Sequence, residues 1–218
     1  MSLVIFDLDG TIVYGQSQEH LIKYLIKKKE ISFFVYLIIF IWFLGYKIGV
    51  CHDPNWVVRY GVKKIVKNRK TVEVNKIISD FYSDSLVKKL NHTMLKKIKE
   101  HKKRKDELVL LTNCIEPLAV FVAEQLGISK VLSTKLEVNG DFYTGRIFGD
   151  IVYGEQKRKI ILEHYSESKL SESIVYADHY SDFFMFPFVK SVYLVNPSQK
   201  TKNFLKSYSQ KENIKLLK

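Results

Sequence analysis

The sequence predicts an α/β fold, a sheet of parallel strands with a helical insert after its first strand. Three observations carry this. Four short apolar runs, residues 2–6, 108–111, 174–177 and 191–195, lack the polar alternation of a half-exposed strand, as strands covered on both faces do. Helix-like segments lie between them, and strands alternating with helices build α/β sheets. From about residue 16 to residue 90 there is no strand pattern, and the chain reads as consecutive helices.

Taken in order, the first strand runs into Asp7-Leu8-Asp9-Gly10-Thr11. The helices of the insert break near Lys29-Glu30, at Cys51-His52-Asp53-Pro54 and near Asn68-Arg69. The second strand stops before Thr112. Glu116–Leu126 reads as a helix, with Pro117 near its start and Gly127 just past its end. Asn139-Gly140 between residues 135–138 and 141–147 is a strong hairpin signal. Residues 154–164 read as a further helix, and the basic tail after Pro197 as partly helical or frayed. The expected division is a core of residues 1–15 and 91–218 and a helical insert of residues 16–90.

The length of 218 residues suffices for one sizeable domain or a core with a smaller insert. An apolar content of 46% excludes a globally disordered chain. The net charge of +12 favours anionic partners: phosphorylated small molecules, an anionic membrane surface or nucleic acid. Lysines dominate and no DNA- or RNA-binding motif is visible, so no nucleic-acid partner is expected. Cys51 and Cys114 are far apart and read as packing residues, which suits a reducing cytoplasm. The strand starting at residue 2 leaves no cleavable signal peptide, and a cytoplasmic location is expected. His20, His52, His92, His101 and His164 show no metal-ligand spacing.

The chemistry concentrates at strand ends. Alternate side chains of a strand point the same way, so Asp7 and Asp9 can face one point while Leu8 turns back into the protein. One carboxylate can attack phosphorus and the other can handle a proton. Two solvated turn aspartates are the plain alternative, but carboxylates ending a buried-type strand are costly unless used. Thr112, with its hydroxyl and the next backbone N–H, can hold a phosphoryl oxygen. Lys157, at the start of a helix, can neutralise phosphate and orient a nucleophile. Asp178 and Asp182, four apart after a strand, suit a magnesium site. Alone, Thr112 reads as an ordinary strand-end threonine, Lys157 as part of a solvated basic face, and Asp178 and Asp182 as loop acids.

In this order and spacing, the four segments resemble the motifs of the haloacid dehalogenase-like (HAD) superfamily of phosphohydrolases, over residues 1–15 and 92–200. The helical insert, with Glu137-Val138-Asn139-Gly140, Thr144-Gly145-Arg146-Ile147 and Tyr153-Gly154-Glu155-Gln156-Lys157, resembles the phosphoserine-phosphatase-like branch, subfamily IB. The resemblance implies a Rossmann-like core, a small helical cap and a Mg²⁺-dependent phosphatase. It implies that Asp7 forms an aspartyl-phosphate, and that Asp9 protonates the leaving oxygen and then activates water. Asp7 and Asp178 would hold Mg²⁺ through their side chains and Asp9 through its carbonyl, with Asp182 supporting them. Gly10, Thr11, Thr112, Asn113 and Lys157 would bind the phosphoryl group, and Gln16 and Glu19 of the cap would meet the rest of the substrate. Phosphoserine phosphatases of the branch carry a glutamate where this chain has Gln16, which argues against phosphoserine. His179 and Tyr180 follow Asp178, where relatives often have small residues; His179 is read first as packed beside the loop, with a substrate contact or a pH-sensitive lid as the alternatives.

Residues 33–44 contain no charged side chain and no polar side-chain group but the Tyr36 hydroxyl and the Trp42 indole N–H, with Lys27, Lys28 and Lys29 just before them. The run is shorter than the ~20 residues of a membrane span. A single span would also put Asp7 and Lys157 on opposite sides of a bilayer. Two readings stay open: a cap helix buried on all sides, or a peripheral element over residues 31–50 at the inner face of an anionic membrane. The apolar insert is similar to that of the phosphatidylglycerophosphatase C group of the same branch, which implies a lipid head group as a substrate candidate beside a phosphorylated small molecule. A phosphotransferase using the same aspartyl-phosphate is the alternative to a phosphomonoester hydrolase.

Overall fold

The computed structural model describes residues 1–208 and 213–217, with the backbone alone at positions 46, 47 and 54. Strand β1 (Leu3–Phe6) is followed by α1 (Ser17–Lys27), α2 (Phe33–Lys47), α3 (Pro54–Val66) and α4 (Thr71–Asp84), and then by α5 (His92–Lys103). Next come β2 (Glu107–Ile115), α6 (Glu116–Leu126), β3 (Lys130–Thr134) and the hairpin of β4 (Leu136–Asn139) and β5 (Phe142–Ile147). The chain closes with α7 (Glu155–His164), α8 (Glu167–Leu170), β6 (Ile174–Ala177), β7 (Ser191–Val195), α9 (Gln199–Ser207) and β8 (Ile214–Leu217).

Six strands form one parallel sheet in the order β3-β2-β1-β6-β7-β8. The fold is the α/β, Rossmann-like class the sequence predicts. Its apolar runs are continuous because the sheet is covered on both faces. Val4 and Phe6 of β1 pack into one core with α1, α3, α4, α5 and α6. Leu3 and Ile5 pack into a second core with α7 and α8.

Of the two expectations for the tail, partly helical or frayed, the described residues show the helical one, α9, and add a strand. Ser198 caps α9 by accepting the Thr201 N–H at 3.1 Å, and β8 pairs in parallel with β7 at the sheet edge. The second strand also extends beyond Leu111 to Ile115. Its register with β3 shifts between Leu111 and Ile115, so Thr112 and Asn113 lie in an irregular stretch of strand.

The insert breaks where the sequence indicates. Lys29 and Asn68 take left-handed backbone, with φ of 61° at each. Asp53 caps α3 by accepting the Asn55 N–H at 2.9 Å, with Pro54 in the first turn. Leu21, Leu25, Val66, Ile78 and Phe81 of the insert join the first core. The two ends of the insert lie side by side. Tyr14 N–H donates to the Lys89 carbonyl and Asn91 N–H to the Ile12 carbonyl, both at 2.8 Å, and the Asn91 side-chain amide reaches the Thr11 carbonyl at 3.2 Å. The hairpin supports the insert from another side: Asn68 N–H donates to the Tyr143 carbonyl at 2.9 Å and Tyr143 N–H to the Arg69 carbonyl at 3.0 Å.

One of the two readings of residues 33–44 fails. α2 lies against α1 and α3, and Val35 is the single buried residue among its described side chains. Two flanking helices leave most of its circumference uncovered. No helix among the described residues is long and apolar enough to cross a membrane.

Candidate active site

The centre of the sheet sets the site. β1 pairs with β2 on one side and β6 on the other, so the chain order reverses there, and crevices at such reversals lie beyond the carboxyl ends of the strands. Asp7 and Asp178 each follow immediately on a central strand, and Asp7 is held by its N–H donating to the Tyr176 carbonyl at 2.9 Å. The turn after Asp9 needs glycine. Gly10 has φ of +75°, and a Cβ there would lie 2.1 Å from Asp178 Oδ2.

Two helix starts complete the cluster. Asp9 Oδ1 accepts the N–H of Ser17, the first residue of α1, at 2.6 Å, using one of the unpaired N–H groups of a helix start. Gly154, with φ of +58°, turns the chain into α7 and places Lys157 in its first turn. The Lys157 ammonium donates to Asp7 Oδ1 at 2.8 Å and to Asp182 Oδ1 at 2.7 Å. Asp182 is buried in the 3₁₀ turn Tyr180–Phe184, whose start is capped by the His179 ring accepting the Ser181 N–H at 3.2 Å.

These groups surround an open cavity of about 210 Å³, lined by Asp7, Asp9, Gln16, Asn113, Lys157 and Asp178 among the residues singled out in the sequence. Tyr153, His179 and Ser181 also line it. His179 therefore borders the cavity and is more than packing beside the loop. Burial pushes its imidazole down to about 4, with Lys157 adding to the effect, so the ring is neutral at pH 7.

Other residues stand elsewhere. Thr112 is buried within β2, its hydroxyl accepting the Cys114 N–H at 3.1 Å, and it is not among the cavity-lining residues. Thr11 is buried, its hydroxyl without a partner. Glu19 is exposed on α1 and pairs with Lys23, because one helical turn separates them. Sequence reasoning passed over Ser17, whose N–H reaches Asp9; a small residue opening a helix after an acidic turn was the available signal. Cys114 is buried and receives the Ser17 hydroxyl at 3.4 Å; burial raises its thiol well above the usual range.

The electrostatics are those of crowded, desolvated carboxylates. Burial raises Asp7 to about 6, against the lowering pull of Lys157. Burial likewise raises Asp9 to about 6, partly offset by its bonds to Ser17. Asp178 reaches about 8, through burial and then the nearby Asp7 and Asp182. Lys157 stays above its ordinary value, because Asp182 and Asp7 outweigh its burial.

Asp7, Asp178 and Asp182 each offer an oxygen within 4.8 Å of the others. Asp9 Oδ2 and Asp182 Oδ2 are buried without a hydrogen-bond partner. Orphaned carboxylate oxygens beside an oxygen-only donor set suit a hard divalent cation such as Mg²⁺.

Residues 4–187 match the family described as haloacid dehalogenase-like hydrolase. The chain belongs to that family. Its similarities run to phosphoserine-phosphatase-like HAD proteins. It is 23% identical over 208 residues to the phosphoserine phosphatase SerB1 of Mycobacterium tuberculosis (strain H37Rv), covering 91% of this chain and 66% of that protein. Among solved structures, a protein of unknown function from Bordetella pertussis Tohama I matches with a TM-score of 0.85 at 18% identity, over 100% of this chain and 98% of that one. A substrate-bound phosphoserine phosphatase matches with a TM-score of 0.64 at 18% identity, over 93% of this chain and 89% of that one. These structural likenesses establish a shared HAD fold.

Proposed function

We propose that this HAD hydrolase is a Mg²⁺-dependent phosphomonoester hydrolase that works through an aspartyl-phosphate on Asp7. The observation that carries the reading is the bond of Lys157 to Asp7, both lining the cavity, with Asp9 two positions on and the acidic cluster beside it. Residues 1–15 and 91–218 act as the catalytic core and residues 16–90 as a helical cap.

Asp7 attacks phosphorus, and the bond from phosphorus to the leaving oxygen breaks. Asp9 gives that oxygen its proton; a carboxyl raised to about 6 is protonated in a useful fraction of molecules near neutral pH. Asp9 then takes a proton from water, which attacks phosphorus and releases inorganic phosphate and the Asp7 carboxylate. Lys157 fixes the Asp7 carboxylate and balances charge on the phosphoryl oxygens. Gly10, Thr11, Thr112 and Asn113 shape the phosphoryl subsite through the turn after β1 and the irregular stretch of β2. Mg²⁺ held by Asp7, Asp178 and the Asp9 carbonyl, with Asp182 behind them, would offset repulsion between phosphate and carboxylates.

The substrate class is a phosphorylated small molecule or a lipid head group. The name of SerB1 brings phosphoserine into view, yet the cavity presents Gln16, a neutral amide, at the entrance of α1. An ammonium group on the substrate would find no carboxylate from that residue.

The test is Mg²⁺-dependent phosphate release from a panel of soluble monoesters and micellar lipid phosphates, with Asp7→Asn as the blank. Release that persists in Asp7→Asn would sink the mechanism. A marked preference for phosphoserine would sink the reading of Gln16.

A further inference from the structure

The insert combines an excess of positive charge with an uncovered apolar helix. Residues 16–90 hold fourteen Lys and Arg against six Asp and Glu, so eight of the twelve net positive charges fall in about a third of the chain. From Phe33 to Leu44, α2 carries apolar side chains all round it, the Tyr36 hydroxyl and Trp42 indole N–H apart. At 100° per residue, Val35, Ile39 and Trp42 share one side of it. That side is covered by its neighbours: Trp42 stacks on Trp56 of α3 at 5.9 Å, and Ile39 packs against the first core. Phe33, Phe34, Ile38, Phe40, Ile41 and Leu44 spread over more than half of the remaining circumference, each between 40% and 69% exposed. The apolar surface continues past the helix through Ile48 and Val50. Isolated exposed apolar residues are ordinary on a protein surface, but a contiguous patch of this kind marks an interaction site.

We infer that α2 docks the protein on an anionic phospholipid surface, lying along the interface with its exposed face among the acyl chains. Charge selects this occupant. Lys27 and Lys29 are exposed just before α2, and Lys63 and Lys64 are exposed on the adjoining α3. An anionic head-group layer complements them, and the combination of an apolar face with flanking lysines is that of an interfacial helix. A second copy of the chain would instead bring two strongly cationic inserts together. Length selects the orientation. Fifteen residues make about 22 Å of helix, less than the ~30 Å of a hydrocarbon core. The chain also crosses the insert out and back, with Val13 paired to Leu90 at its two ends.

Docking is separable from catalysis, and its readout is binding. The only two tryptophans, Trp42 and Trp56, lie at the α2–α3 contact and report on it. The experiment mixes the full chain with vesicles of equal parts phosphatidylglycerol and phosphatidylcholine, or of phosphatidylcholine alone. Co-sedimentation and tryptophan emission are measured, with light scattering of the protein alone. The expected result is sedimentation with the anionic vesicles, a blue-shifted emission and weaker binding in high salt. Ile38→Glu/Ile41→Glu should weaken binding by about tenfold or more with an unchanged melting curve, since both side chains face outward. Lys27→Gln/Lys29→Gln/Lys63→Gln should weaken binding to the anionic vesicles. Asp7→Asn should bind as the native chain does, so loss of activity and loss of docking are read independently. Absence of binding to the anionic vesicles would overturn the assignment, as would undiminished binding by Ile38→Glu/Ile41→Glu. A concentration-dependent dimer that this double variant breaks, with no vesicle binding, would reassign α2 to self-association.

Discussion

The end of the sheet and the surface of α2 invert the ordinary placement of residues in opposite directions. At the sheet end, Asp7, Asp9, Lys157 and Asp182 are buried; on α2, phenylalanines and isoleucines are exposed. The inversions differ in what compensates them. Lys157 bridges Asp7 and Asp182 within 3 Å, so each buried charge there depends on its partners. The exposed face of α2 meets no such network. The first region is therefore expected to be costly to alter in stability and in turnover, and the second nearly free to alter in stability.

The largest effect falls on turnover. Asp7→Asn keeps the shape of the side chain but removes the carboxylate proposed as the nucleophile, and kcat should fall by about 10³-fold or more in a phosphate-release assay, with the fold retained by circular dichroism. Lys157→Met tests interdependence. It leaves Asp7 and Asp182 facing each other without a cation, and urea unfolding should show a loss of about 3–5 kcal/mol. A loss below about 1 kcal/mol would mean that the two carboxylates protonate or hydrate without difficulty, and that the sheet end tolerates change nearly as well as α2. Gly10→Ala strikes the same region through the backbone. The added Cβ meets Asp178 in a left-handed turn, and a loss of about 1–3 kcal/mol together with weaker Mg²⁺ activation is expected.

Much of the sheet end was legible in the sequence because its chemistry is local. Asp7 and Asp9 are fixed by strand periodicity and Gly10, and Asp178 by the end of an apolar run. What was not legible depends on distant pairing. β3 escaped because only Val131 and Leu132 of Lys130–Thr134 are apolar, too few to stand out as a run; β8 escaped because its four residues are strand-like only beside β7. Thr112 was expected at a strand end, and the extension of β2 to Ile115 depends on its pairing with Thr134 of β3. Glu19 is implied as a substrate contact by the family resemblance, but helix geometry turns it outward to Lys23. For α2, the apolar run was plain in the sequence, yet whether neighbours cover it is a property of the packed insert.

Smaller effects sharpen the comparison within a single helix. Val35→Ala removes buried apolar volume from α2 and should cost about 1–2 kcal/mol. Ile41→Ser, on the exposed side of the same helix, should change stability by no more than about 0.5 kcal/mol. Equal costs at the two positions would mean that the outer face of α2 is packed in solution, by self-association or otherwise.

The smallest effect separates burial of polar groups as such from burial at a reactive site. His101 is buried, with Nδ1 2.9 Å from Asp106 Oδ2 and Nε2 3.0 Å from the Tyr176 hydroxyl, whereas Asp9 and Asp182 each keep an orphaned oxygen. Burial lowers the His101 imidazole below 6.5, with Arg104 adding to this and Asp106 and Glu100 opposing it. The unfolded chain thus takes up a proton at His101 as pH falls through about 6.5, before the folded chain does. Stability from this residue is complete above that pH and declines below it. Asp7, Asp9 and Asp178, raised on folding, titrate in the opposite sense and cancel when two variants are compared at each pH. Urea unfolding between pH 7.5 and 5.5 should therefore show the native chain losing stability relative to His101→Gln as pH falls. A difference that stays constant across this range would mean that His101 titrates alike in both states and that its buried partners compensate the charged ring.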